Sequence, residues 1–97
     1  MVVGRATAVT GPYLDRAGKD MAAGGGSLVV AGDEHWQGVG HNSVYTMGGK
    51  DLMVLHAYER ADKYRQKLKI MPIAWDEAGW PVVDSRDLER YISTQIP

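Results

Sequence analysis

Two histidines set about a pair of glycines hold most of the chemistry this chain can do. His41 and His56 lie on either side of Gly48-Gly49 in GVGHNSVYTMGGKDLMVLHAY, residues 38–58. Consecutive glycines between apolar and aromatic runs predict a tight hairpin, because a two-residue loop needs positive φ at its centre. If Gly48 and Gly49 form the loop, Met47 faces Lys50, and counting outward sets His41 opposite His56. If the loop is GGKD, His41 faces Tyr58 instead, and His56 stays on the same face because strand side chains alternate. A three-residue loop would separate the two. Either even register gathers two imidazoles on one surface, which is the beginning of a metal site. A three-histidine zinc site would also require His35 to converge, and His35 sits in the polar loop Gly32-Asp33-Glu34-His35, where solvation is expected.

The other polar groups offer less. Adjacent loop residues point apart, so Asp33-Glu34-His35 reads as a solvated turn, and Asp76-Glu77 likewise. Gly24 to Gly26 lack the following lysine-bearing helix start of a phosphate loop. Arg60, Lys63, Arg65, Lys67 and Lys69 are interleaved with Glu59 and Asp62, and alternating lysines keep edge strands from pairing with other chains. Of the tryptophans, Trp75 and Trp80 are expected to pack. Trp36, between polar residues and close to His41, is the candidate for stacking on a sugar ring. His56 is expected to support the hairpin structurally.

The elements that must position these groups are short strands. Val2 to Val9 reads as a strand entering the turn Thr10-Gly11-Pro12, and Ser27 to Ala31 as another. Leu52 to Leu55 is apolar at successive positions, which predicts a strand covered on both faces. Gln66 to Trp75 alternates, with Lys67 and Lys69 on a wet face. Pro72 cannot donate to a ladder, which places it at an edge or a bulge. A four-residue turn over Asp76 to Gly79 would set Trp75 opposite Trp80. Asp84 or Ser85 could cap a short helix with Leu88, Tyr91 and Ile92 on one side. The sum is an all-β chain: a sandwich, a barrel or part of a propeller.

Composition narrows the function classes. A hydrophobic fraction of 44% supports a core, and with no phenylalanine the bulk must come from Trp, Tyr and Met. A net charge of −1 without single-sign blocks argues against nucleic acid or an acidic membrane as partner. The absence of cysteine excludes disulfides and thiolate metal sites. MVVGRATAVT lacks the apolar core of a signal peptide, and no run approaches a membrane span. The compartment is left open.

Taken in series, GRATAVTGPYLDRAGKDM, GGGSLVVAGD, GVGHNSVYTMGGKDLMVLHAYERAD and KLKIMPIAWDEAGWPVV resemble the C-terminal part of arabinan endo-1,5-α-L-arabinosidases of glycoside hydrolase family 43. The resemblance runs from about Gly4 to Val83 with order and spacing kept. It implies the C-terminal part of a five-bladed β-propeller, about one and a half to two blades over residues 1–83, with 84–97 as a tail. It also implies inverting hydrolysis of α-1,5-arabinan by three carboxylates, all on blades that precede this stretch, so no catalytic residue is expected here. A chain carrying those earlier blades is the expected partner, with arabinan or arabino-oligosaccharide as substrate. What carries over is His41, whose counterpart in the GHN motif helps hold a hydrated cation, commonly calcium, in the propeller channel. The family is usually secreted or periplasmic. The chain departs from the pattern at Val39, where proline is common, and in its tail after Val83. The other readings are a non-catalytic carbohydrate-binding or assembly module, and a truncated reading frame without activity of its own.

Overall fold

The computed structural model describes residues 1–90. Its main body is a four-stranded antiparallel sheet in the order β3 (Trp36–Met47), β4 (Lys50–Glu59), β5 (Arg65–Trp75), β6 (Pro81–Val82). The Gly48-Gly49 loop forms as expected: Met47 pairs with Lys50, and both glycines have positive φ, 60° and 77°.

Alternation along the central strand β4 decides where the core lies. Met53, Leu55 and Ala57 are buried, whereas Leu52, Val54, His56 and Tyr58 on the other face are only half-buried. The expectation that Leu52–Leu55 is covered on both faces therefore holds for one face among the described residues. On β5 the buried residues are Lys69 and Met71, and together with Val30, Trp36 and Leu88 they close the core. This reverses the expected wet face of β5: Leu68 is exposed and Lys69 is not. The reason is register, since Lys69 pairs with Leu55 and so inherits its inward face.

Two expected strands are shorter than predicted. β1 is Val2–Val3 and β2 is Ser27–Leu28, paired with each other. Beyond Val3 the backbone of Arg5 exchanges both hydrogen bonds with Leu14, at 2.9 Å each, so the ladder with β2 cannot continue. Asp15 then organises the return. Its carboxylate accepts from the amides of Gly26, Lys19 and Ala17, all at 2.9 Å, and these bonds, Gly26 first, hold its pKa below the usual value.

The turn after β5 is one residue longer than expected. Asp76 accepts from the amides of Ala78 and Trp80 at 3.0 and 2.8 Å, which keeps Trp80 in the loop. Trp75 consequently pairs with Pro81, and the predicted Trp75–Trp80 cross-strand pair does not form. Trp80 instead lies under Arg5 and Arg16, whose guanidinium carbons are 4.3 and 5.3 Å from its ring centroid. Pro72 lies on a stretch of β5 that β6 does not reach, in keeping with its expected edge position.

A short helix α1, Asp87–Arg90, follows the sheet, with Leu88 1% exposed. Asp84 accepts from the Arg86 amide at 3.0 Å. Tyr91 and Ile92, expected on the same side as Leu88, lie outside the described residues. Among the described residues no helix is long and apolar enough to cross a membrane.

Candidate functional site

The ladder between β3 and β4 is regular from the turn to Ser43, which pairs with Val54. It then shifts, and Gly40 rather than His41 pairs with His56. His41 and Asn42 thus oppose Leu55 alone, which is a β-bulge, a device that bends a strand and re-aims a side chain. His41 takes a left-handed backbone, φ 52°, a conformation that costs a non-glycine residue roughly 1–2 kcal/mol. The direct opposition predicted from counting is therefore off by one residue. The bulge restores the meeting: the His41 and His56 rings lie 5.4 Å apart between centroids, at 84°.

Tyr58 extends this row, its ring 5.4 Å from that of His56. The ring is fixed from two sides. Its hydroxyl accepts from Gln66 Nε2 at 2.9 Å, and its edge lies against Gly38, where an added Cβ would come within 2.6 Å of the ring. Gly38 also has φ 59°, so the site needs glycine for both space and backbone. His41 is exposed and His56 half-buried, so the outer side of the pair is open.

Calcium takes six to eight oxygen ligands. Among the described residues no group of three or more His, Cys, Asp or Glu is placed to hold a metal. The imidazole pair offers nitrogen only, so these residues do not by themselves fit the calcium that the resemblance implies.

His35 does not join the pair. Its Nε2 lies within hydrogen-bond distance of Glu59 Oε2, at 2.8 Å, and Glu59 is also 3.8 Å from Lys67 Nζ, so the histidine expected to be solvated has a side-chain partner. The turn that leads into β3 precedes this contact: Asp33 accepts from the amides of His35 and Trp36, both at 2.8 Å.

Trp36, the candidate sugar-binding aromatic, is 2% exposed. Lys69 Nζ sits 3.3 Å from its ring centroid, and its Nε1 donates to Glu89 Oε1 at 2.8 Å. The ring has no face open to a sugar, because the chain enters β3 on the core side. Lys69 is the residue that sequence reasoning missed here. It is fully buried and donates to the Leu88 carbonyl at 2.7 Å; burial pushes its pKa down to about 8 against the opposing pull of Glu89 and Glu59. The signal that could have found it is the two-residue alternation from Met71.

On the core side of the hairpin, a cavity of about 260 Å³ is lined by Val3, Asn42, Met53, Trp75 and Trp80 among others. Asp51 steadies its rim, accepting from Thr46 Oγ1 at 2.5 Å and Trp75 Nε1 at 2.6 Å, and these two bonds lower its pKa.

No family model matches the chain. It is 58% identical over 96 residues to an extracellular exo-α-(1→5)-L-arabinofuranosidase of Cellvibrio japonicus, a match that covers 99% of this chain and 28% of that protein. The structure of a Cellvibrio cellulosa α-L-arabinanase complexed with arabinohexaose superposes with a TM-score of 0.89 at 61% identity, covering 95% of this chain and 29% of the other. A family 43 endo-arabinanase of Bacillus licheniformis superposes with a TM-score of 0.73 at 40% identity, covering 84% and 27% respectively. The chain thus spans less than a third of the length of the relatives it matches, and its sheet is part of a five-bladed β-propeller. The agreement of sequence and fold across nearly every described residue places this chain among the arabinanases of glycoside hydrolase family 43.

Proposed function

We propose that this chain supplies one blade and an adjoining piece of an arabinan-degrading propeller, and that by itself it is catalytically incomplete. The observation that carries this is the match to the arabinanase complexed with arabinohexaose, at 61% identity over only 29% of that protein. Inverting glycosidases need two carboxyl groups about 6.5–9.5 Å apart with a water between base and sugar. The acids beside the hairpin are already engaged: Asp51 with Thr46 and Trp75, Glu59 with His35 and Lys67. The resemblance puts the catalytic carboxylates on other blades. The relatives are named for both exo- and endo-acting enzymes, so the reading is α-1,5-arabinan hydrolysis without a choice between them.

The partner in this reading is a chain that carries the remaining blades. The half-buried face of Leu52, Val54 and Ile70, with exposed Leu68 beside them, is the surface it would cover. A non-catalytic sugar-binding module is the weaker reading, since Trp36, its candidate aromatic, is buried. Purified chain incubated with linear arabinan is expected to release no reducing ends. Robust hydrolysis would show that a complete set of catalytic groups lies in this chain.

A further inference from the structure

The cavity of about 260 Å³ is walled by both sheets: Val3 comes from β1, and Val44, Met53 and Ile73 come from β3, β4 and β5. We propose that it binds a small monocyclic aromatic carboxylate, with the ring inside the cavity and the carboxylate on Arg5. This binding does not depend on arabinan hydrolysis.

Wall chemistry is the first support. The lining is aliphatic, methionine and tryptophan side chains with few polar groups, the usual make-up of a small-molecule site. Every residue of an arabinan chain carries hydroxyls, and walls of this kind would leave them without partners at a cost. The cavity therefore suits a ring and not a sugar.

Size is the second. A dry apolar cavity of about 150 Å³ admits benzene. The larger volume here has room for one substituted ring and none for an oligosaccharide.

Charge is the third, and it selects the ligand's polar end. Arg5 is the only charged side chain in the lining, and no carboxylate lines the cavity beside it. The Met1 ammonium, which donates to the Val30 carbonyl at 2.8 Å, adds to the same sign. The Arg5 guanidinium is already positioned: its central carbon lies 4.3 Å from the Trp80 ring centroid, and Nη1 donates to the Ala78 carbonyl. Arg16, the other guanidinium over that ring, is paired with Asp76 at 2.7 Å, whereas Arg5 makes no ion pair among the described residues. A guanidinium has five N–H donors in a rigid fork, so donors remain at Arg5 for a planar carboxylate. The bulge at His41 adds Asn42 to the wall, whose amide supplies a second polar contact.

The test is calorimetric titration of the full chain with 3-phenylpropanoate and, separately, with the neutral 3-phenylpropanamide. One acid per chain is expected, bound at least tenfold more tightly than the amide, with the Trp80 indole resonance shifted on binding. Arg5→Met should bring the acid down to the affinity of the amide and leave the amide unchanged, a pattern that a general loss of structure would not produce. Val44→Trp, at a wall position that is 51% exposed, should block both. The proposal is overturned if the unmutated chain shows no saturable binding of the acid, or equal affinity for acid and amide. It is also overturned if Arg5→Met keeps the preference for the acid, or if Val44→Trp binds undiminished.

Discussion

Gly40, not His41, pairs with His56 across the hairpin, and yet the His41 and His56 rings meet at 5.4 Å. The contact exists because a bulge shifts the ladder by one residue and turns His41 into a left-handed backbone. Two errors of register, one from simple counting and one built into the strand, end at the same pair of imidazoles.

That backbone has a measurable cost. His41→Gly removes the strain while His41→Ala keeps it, so the glycine variant should be more stable than the alanine variant by about 1 kcal/mol. Urea denaturation of the two variants checks this. Equal midpoints would mean that residue 41 relaxes out of the left-handed region.

Gly38 is the opposite case. A side chain there would meet the Tyr58 ring at 2.6 Å on a backbone with φ 59°. Gly38→Ala should destabilise the chain by about 1–3 kcal/mol and loosen the Tyr58–His56 contact. Thermal melting reads the first effect, and the Tyr58 and His56 ring resonances read the second.

The hairpin, its turn and the central strand could be read from the sequence because each rests on local chemistry: positive φ at Gly48-Gly49, and alternation along β4. What could not be read depends on partners far away in the chain. Glu59 is 24 residues from His35 and gives a polar loop residue a hydrogen-bond partner. Glu89 lies 53 residues from Trp36 and helps bury it. Lys69 looks like an edge-strand lysine until its pairing with Leu55 is known. The loop after Trp75 lengthens because one aspartate can cap two amides, and the four-residue turn expected there leaves no place for the second. The bulge at His41 has no sequence sign beyond the glycines that precede it.

Trp36 should prove to be a structural residue. Trp36→Ala empties a fully packed site and removes the ring beneath Lys69 and the donor to Glu89, a loss of about 3–5 kcal/mol. Chemical denaturation measures it. A variant that kept its stability but lost affinity for arabino-oligosaccharide would restore the sugar-stacking role.

Lys69 gives the chain a pH signature. Burial lowers its folded pKa to about 8 from an ordinary 10.5. Between those values the unfolded chain holds a proton at this lysine that the folded chain has released. Unfolding free energy should therefore rise with pH from about 8 to 10.5, and this contribution is lost as pH falls through 8. The full shift corresponds to about 3 kcal/mol. Lys67, held above the ordinary value chiefly by its hydrogen bond to Asp62, loses its own contribution only at higher pH. Denaturation midpoints at a series of pH values should show the rise, and Lys69→Met should abolish it. A rise of the same size in the methionine variant would assign the effect elsewhere.

The most direct measurement of the account is complementation. The chain would be mixed with a separately produced portion of the Cellvibrio japonicus relative that lacks the matched 96 residues, and the release of reducing ends from linear arabinan followed. Hydrolysis by the mixture, with none from either part alone, is the predicted result. Hydrolysis by this chain alone would contradict it, as would a stable complex of the two parts that remains inactive.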